Sequence, residues 1–166
     1  MKLIYTKSGD EGMTSLRNGV RVCKDDPRIE TNGQIDQLNA QLGIVRALLD
    51  QDEENRQLIH AVQSQLMIVM SHIATPEGHD NPRELQAASL TQRLEQAIDR
   101  ADYQGGFVIP GSGSQLAAFV HAARTQARTV ERRLWTLHRE HPVDRDILVM
   151  MNRLSDYLFV LANSKE

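Results

Sequence analysis

The chain has 166 residues, with 19 lysines and arginines against 22 aspartates and glutamates, a formal charge of −3. That length suits one domain, and the near-balance of charge argues against a general nucleic-acid binder, which needs a basic surplus. Hydrophobic residues make up 40%, too many for a disordered chain, while the single cysteine, Cys23, rules out an intramolecular disulfide and a cysteine zinc cage and suits a reducing compartment.

No stretch approaches the ~18 apolar residues of a membrane span. The start, Met1 to Lys7, turns polar too soon for a secretory signal, so a cytoplasmic protein with no membrane partner is expected. Aromatic residues are only 4%, which disfavours aromatic-rich β-sandwiches and stacking platforms for single-stranded nucleic acid.

The first 26 residues differ from the rest. Gly9, Gly12 and Gly19 lie among small polar and charged residues without helical period. This reads as an ordered polar loop after a short extended piece at Leu3–Thr6, or as a mobile tail. From Pro27 onward the pattern is helical. Pro27 fits a first turn, and Ile35, Leu38, Leu42, Val45 and Leu49 recur at three- and four-residue steps. A second helix is expected from about Glu53 to Ala74, on Leu58, Val62, Leu66, Val69 and Ile73, with Pro76 as its stop. A third starts near Pro82, carries Leu85, Ala88, Leu94 and Ile98, and closes at Gly105-Gly106. The fourth follows Ser114 as N-cap and carries Ala117, Val120, Ala127, Val130, Leu134 and Leu137 as far as His141-Pro142. The fifth runs from about Asp144 to the end on Ile147, Leu148, Met151, Leu154, Leu158 and Leu161. The expectation is all-α: an antiparallel five-helix bundle forming a single domain over residues 1–166, each helix about 30 Å long.

Several groups of residues carry chemistry. In the N-terminal loop, Thr6, Lys7, Ser8, Gly9, Thr14 and Ser15 combine glycines that turn backbone N–H groups inward with hydroxyls and an ammonium, the makings of an anion nest. The G-x-x-x-x-G-K-[ST] spacing of a P-loop is absent. Lys24 reaches a phosphate or is simply solvated, and Asp25 or Asp26 caps the helix that Pro27 opens. On the fourth helix Arg124, Arg128, Glu131 and Arg132 stand at i, i+4, i+7 and i+8, one helical stripe. They either clamp a polyphosphate or form a solvated, salt-bridged face. Asp36 wants a cation partner among those arginines, or is a surface acid. Asn152 reads a nucleoside edge or bonds to a neighbouring helix. The six histidines show no zinc-binding spacing, so no metal site from protein side chains is expected.

The order of these blocks is more specific than any one of them. Tyr5-Thr6-Lys7-Ser8-Gly9-Asp10-Glu11-Gly12, Arg21-Val22-Cys23-Lys24-Asp25-Asp26-Pro27-Arg28-Ile29-Glu30 and Gly33-Gln34-Ile35-Asp36-Gln37-Leu38-Asn39 come first. Phe107-Val108-Ile109-Pro110-Gly111, then Arg124-Thr125, Arg128 and Glu131-Arg132-Arg133, and Asn152-Arg153-Leu154-Ser155-Asp156 follow. Together they resemble the PduO-type ATP:cob(I)alamin adenosyltransferases across essentially the whole chain.

The resemblance implies a homotrimeric five-helix bundle with active sites between neighbouring subunits. Residues 1–26 would be the nucleotide-binding loop and 27–166 the bundle. Thr6, Lys7, Ser8, Gly9, Thr14, Ser15 and Lys24 would cradle the triphosphate of ATP. Arg128, Thr129, Glu131 and Arg132 of the next subunit would face it, with Asn152 at the nucleoside end. Asp36 would pair with Arg124 across the subunit boundary. Phe107 would bind cobalamin on the lower face of cobalt, displacing the axial ligand so that the corrinoid can be reduced to Co(I). Mg²⁺ would be held through ATP phosphates. The implied reaction is attack of cob(I)alamin on the 5′ carbon of ATP, giving adenosylcobalamin and triphosphate. A reductase and an adenosylcobalamin-dependent acceptor enzyme are further partners of such a reaction.

The chain departs from the family pattern at several points. Ser8 stands for the usual threonine, Met13 for a small hydroxyl residue and Asn32 for an apolar one. Thr129 replaces an arginine, the Gly111–Ser114 turn is one residue longer, and the chain ends soon after the fifth helix. These departures favour, as an alternative, a weakly catalytic or non-catalytic module that binds and delivers ATP or corrinoid. A plain helical assembly protein is the third reading.

Overall fold

The computed structural model describes residues 5–102, 106 and 109–165. A short antiparallel hairpin, β1 (Met13–Ser15) and β2 (Arg21–Cys23), precedes α1 (Pro27–Leu48), α2 (Glu53–Ile73), α3 (Ala87–Arg100), α4 (Gln115–His138) and α5 (Arg145–Asn163). The hairpin register pairs Met13 with Cys23, Thr14 with Val22 and Ser15 with Arg21.

Four of the five helices start on a side-chain cap. Asp26, Asp52, Ser114 and Asp144 each accept a hydrogen bond from a backbone N–H of the first turn, satisfying donors that a helix start leaves open. Pro27 sits in the first turn of α1 as its missing N–H allows. The apolar stripes then converge. Ile35, Leu38 and Leu42 of α1, Leu66 of α2, Leu134 of α4 and Leu154 of α5 are fully buried, each contributing roughly 1.5–3 kcal/mol relative to exposure. Helix α4 packs between α1 and α5, α5 also packs on α3, and α2 packs on α1 and α3, so the five helices close a ring.

The third helix is shorter than its sequence pattern. Fourteen residues, Ala87–Arg100, correspond to about 21 Å. Residues 81–86 stay outside the helix, where other partners claim their backbone. The Arg83 N–H donates to Asn81 Oδ1, the Arg83 carbonyl accepts from His72, and the Gln86 N–H donates to Gln65 Oε1. Leu85 still packs on the core from this segment, whereas Ala88 is exposed. The Gly105 stop lies outside the described residues, and α3 already ends at Arg100.

The N-terminal loop is ordered by the hairpin, which the sequence reading did not contain. Leu3 and Ile4 lie outside the described residues, and Thr6 is not in a strand. Leu16, at the end of β1, is buried. Beside it, the Arg17 N–H donates to the Ala74 carbonyl at 2.9 Å and Arg17 Nη1 to Ser71 Oγ at 2.8 Å. The hairpin is thereby fastened to the C-terminal end of α2. No described helix is long and apolar enough to cross a membrane.

Candidate active site

Two groups of candidate residues are assembled, one on the hairpin and one on the α4–α5 face. On the hairpin, Thr6 Oγ1 and Ser8 Oγ share a hydrogen bond of 2.7 Å. Lys24 lies across the loop. A Cβ added at Gly9 would lie 3.4 Å from its Cε and Nζ, so the ammonium packs close over the turn. The Lys24 N–H closes the loop on the Gly12 carbonyl at 2.9 Å. Lys7 holds a left-handed φ of 61°, a conformation uncommon outside glycine. Lys7, Ser15 and Lys24 are exposed, and Thr14 is half-buried.

Directly after Lys24 the chain turns into α1. Asp26 accepts from the Arg28 N–H and from Arg28 Nε at 2.9 Å each, and its second oxygen accepts from Nη2 at 2.7 Å. The guanidinium bonded to it holds the Asp26 carboxyl below its ordinary range, against the opposing effect of burial. Of the two candidate caps it is Asp26 that caps the helix. Asp25 is exposed.

On α4, Asn152 of α5 donates to Glu131 Oε1 at 3.0 Å, so these two candidates are neighbours on adjacent helices. Arg132 Nη2 donates to Thr129 Oγ1 at 3.1 Å, and that hydroxyl in turn donates to the Thr125 carbonyl at 3.3 Å. Arg124 donates from Nε to His121 Nδ1 at 3.3 Å and lies 6.0 Å from the centroid of the Phe159 ring. Arg128 is exposed and makes no hydrogen bond or ion pair among the described residues. Asp36 is likewise exposed and has no hydrogen bond or ion pair among the described residues, Arg124 included. Behind this face, Gln126 donates to the Gln34 carbonyl and to its Oε1 at 2.9 Å each, and fixes α4 on α1.

Within one chain no hydrogen bond or ion pair among the described residues joins the hairpin group to the α4–α5 group. Phe107 lies outside the described residues. The turn after it is described: the Ser112 N–H donates to the Ile109 carbonyl at 3.1 Å and Gly111 has φ of 88°. This is a type II turn with Pro110 at its second position. A cavity of about 350 Å³ lies at the bundle end between Arg28, His72, Glu77, His141 and Ile147, and contains none of the candidate residues. The candidate side chains are instead exposed or half-buried on the surface.

A family model for cobalamin adenosyltransferases matches residues 4–164. The chain belongs to the cobalamin adenosyltransferase family. Among curated relatives, the corrinoid adenosyltransferase PduO of Salmonella typhimurium is 39% identical over 98% of this chain and 49% of its own length. This chain thus spans about half of that protein. A corrinoid adenosyltransferase of Citrobacter freundii is also 39% identical, over 100% of this chain and 96% of its own length. Among solved structures, a variant PduO-type ATP:corrinoid adenosyltransferase from Lactobacillus reuteri, complexed with cobalamin and ATP, superposes with a TM-score of 0.87 at 32% identity. That match covers 96% of this chain and 91% of that one.

One member of the hairpin group has no counterpart among the sequence-derived candidates. Arg21 donates from Nη1 to Ser15 Oγ at 3.1 Å and from Nη2 to the Ser8 carbonyl at 2.8 Å. Its signal in the sequence is the pairing of positions 15 and 21 across a hairpin, and strands of three residues are too short to show alternation.

Proposed function

We propose that the chain transfers the 5′-deoxyadenosyl group of ATP to cob(I)alamin, giving adenosylcobalamin and inorganic triphosphate. The observation that carries this reading is the α4–α5 face. Arg128 stands there exposed and, among the described residues, unpaired, between Arg124 on one side and the Glu131–Asn152 pair on the other. A guanidinium left without a partner beside two oriented ones matches an anionic ligand. The family, and the cobalamin and ATP bound by the Lactobacillus reuteri neighbour, support ATP and corrinoid as the pair of substrates.

In the reaction the electron pair of Co(I) forms the cobalt–carbon bond to C5′. The C5′–O bond breaks, its electrons leave on triphosphate, and cobalt rises formally from +1 to +3. No proton is lost by the nucleophile, so no general base is required. Thr6, Lys7, Ser8, Gly9, Thr14, Ser15 and Lys24 hold the triphosphate. Arg128, Thr129, Glu131 and Arg132 of a neighbouring subunit close on it, and Asn152 binds the nucleoside end. Cations at the leaving group stabilise the charge as it localises there. Orienting cobalt and carbon is worth up to ~7–11 kcal/mol. By the family resemblance, Phe107 is assigned to the corrinoid, where an apolar side chain would disfavour a lower axial ligand on cobalt. Mg²⁺ enters with the ATP phosphates.

The assembly is a homotrimer, with Asp36 of one subunit paired to Arg124 of the next. It works in the cytoplasm with a reductase that supplies Co(I) and an acceptor enzyme that takes the product. The test is to titrate MgATP and corrinoid binding beside anaerobic turnover with cob(I)alamin. Binding of both with loss of the Co(I) absorption band supports the enzyme. Micromolar binding of ATP with a persistent Co(I) spectrum would turn the assignment to a delivery module.

A further inference from the structure

The hairpin loop has an unusual balance of donors and acceptors. Three of its carbonyls are consumed internally: Lys7 O accepts from the Asp10 N–H, Gly9 O from the Gly12 N–H, and Gly12 O from the Lys24 N–H. Ser8 O receives no backbone donor. It is taken instead by Arg21 Nη2 at 2.8 Å. The other arm of the same guanidinium, Nη1, donates to Ser15 Oγ at 3.1 Å. A guanidinium only donates, so Ser15 Oγ is the acceptor in that bond and its own hydroxyl proton must point elsewhere. Thr6 and Ser8 hydroxyls share one bond, which uses one proton and leaves the other free.

We infer that Arg21 is a positioning residue for the nucleotide. By occupying the Ser8 carbonyl and a lone pair of Ser15, it removes two acceptors from beside the hydroxyl and ammonium donors of the loop, where a polyphosphate would bind. A phosphate oxygen is an acceptor, and a carbonyl left facing it would repel it. Arg21 therefore acts through Ser8 and Ser15, and the hairpin register that opposes Ser15 to Arg21 is what places it. The inference rests on the proposed ATP reading and deepens it, extending the set of residues that make the triphosphate site.

The experiment uses the full chain and inorganic triphosphate as probe, bound without corrinoid and followed by calorimetry, beside steady-state KM values. Wild-type protein is measured first. Failure of both triphosphate and MgATP to bind would sink the ATP reading itself, and Arg21 with it. Given wild-type binding, Arg21→Ala is expected to weaken triphosphate on the order of 10-fold or more. It should raise KM for ATP in step and leave KM for corrinoid unchanged, a split that general loosening of the fold would not produce. Arg21→Lys, which reaches one acceptor but not both, should fall between. Ser15→Ala should weaken binding less than Arg21→Ala. The double variant Arg21→Ala/Ser15→Ala should lose less than the product of the single losses, because the two act as one unit. Wild-type triphosphate affinity in Arg21→Ala would overturn the inference. So would strictly multiplicative losses, which would reduce Arg21 to a remote charge.

Discussion

Thr129 stands next to Arg128 where the family pattern suggests a second arginine, and its hydroxyl accepts from Arg132. One cation is lost from the face, and another is held in place by the residue that replaced it. Arg128 makes no hydrogen bond or ion pair among the described residues, so under the proposed function its removal should fall on the reaction. Arg128→Ala is expected to lower anaerobic turnover on the order of 100-fold or more with the melting temperature unchanged; unaltered turnover would remove it from the site. Asp26 behaves oppositely, because its bonds are internal. Arg28 depresses its folded pKa below the ordinary 3.8. The stabilisation is therefore complete above that value and is lost as pH falls through it toward the folded pKa. Asp26→Asn keeps a competent cap but not the ion pair. It should cost roughly 1 kcal/mol at pH 7, a gap that narrows in urea titrations below pH 4; a gap independent of pH would contradict this. Asp26 and Ser114 were legible as caps because their signal is local. Arg21 was not, because its meaning depends on a partner across a turn.

The helices were legible for the reason their stripes are buried: three- and four-residue steps put Ile35, Leu38, Leu42 and Val45 on one face. The start of α3 was misread because Pro82 is a permissive signal. It allows a first turn without demanding one, and side chains of α2 took one backbone donor and one acceptor of the segment, while Asn81 took a second donor. The hairpin escaped for want of length. Its order rests on Leu16, 5% exposed, and on Arg17 at the end of α2. Leu16→Ala should remove ~2–5 kcal/mol of local packing. The expected result is faster amide exchange and proteolysis over residues 5–24, with helical circular dichroism retained and MgATP affinity reduced. An unchanged exchange profile would show that the hairpin is held otherwise.

Among the described residues, no hydrogen bond or ion pair joins the two groups that the proposed function assigns to a phosphate site. The hairpin is fastened beside α2, while the arginine stripe faces outward from α4, and Asp36 and Arg124 do not meet within a chain. Under the proposed trimer, neighbouring subunits would complete the site, which accounts for all three. Neither composition nor periodicity contains that arrangement, because it depends on surfaces that only a second copy would cover; the resemblance alone carried it. Asp36→Ala is expected to shift sedimentation from trimer toward smaller species. The exchanged pair Asp36→Arg/Arg124→Asp should restore the trimer, whereas an unshifted wild-type-like trimer in Asp36→Ala would contradict the pairing.

The most direct test of adenosyl transfer is the product balance in an anaerobic reaction of MgATP with cob(I)alamin, read by phosphorus NMR and by the corrinoid spectrum together. The account predicts one intact triphosphate for each adenosylcobalamin formed, since only the C5′–O bond breaks. Release of orthophosphate or diphosphate in step with ATP loss, with Co(I) left unalkylated, would contradict it.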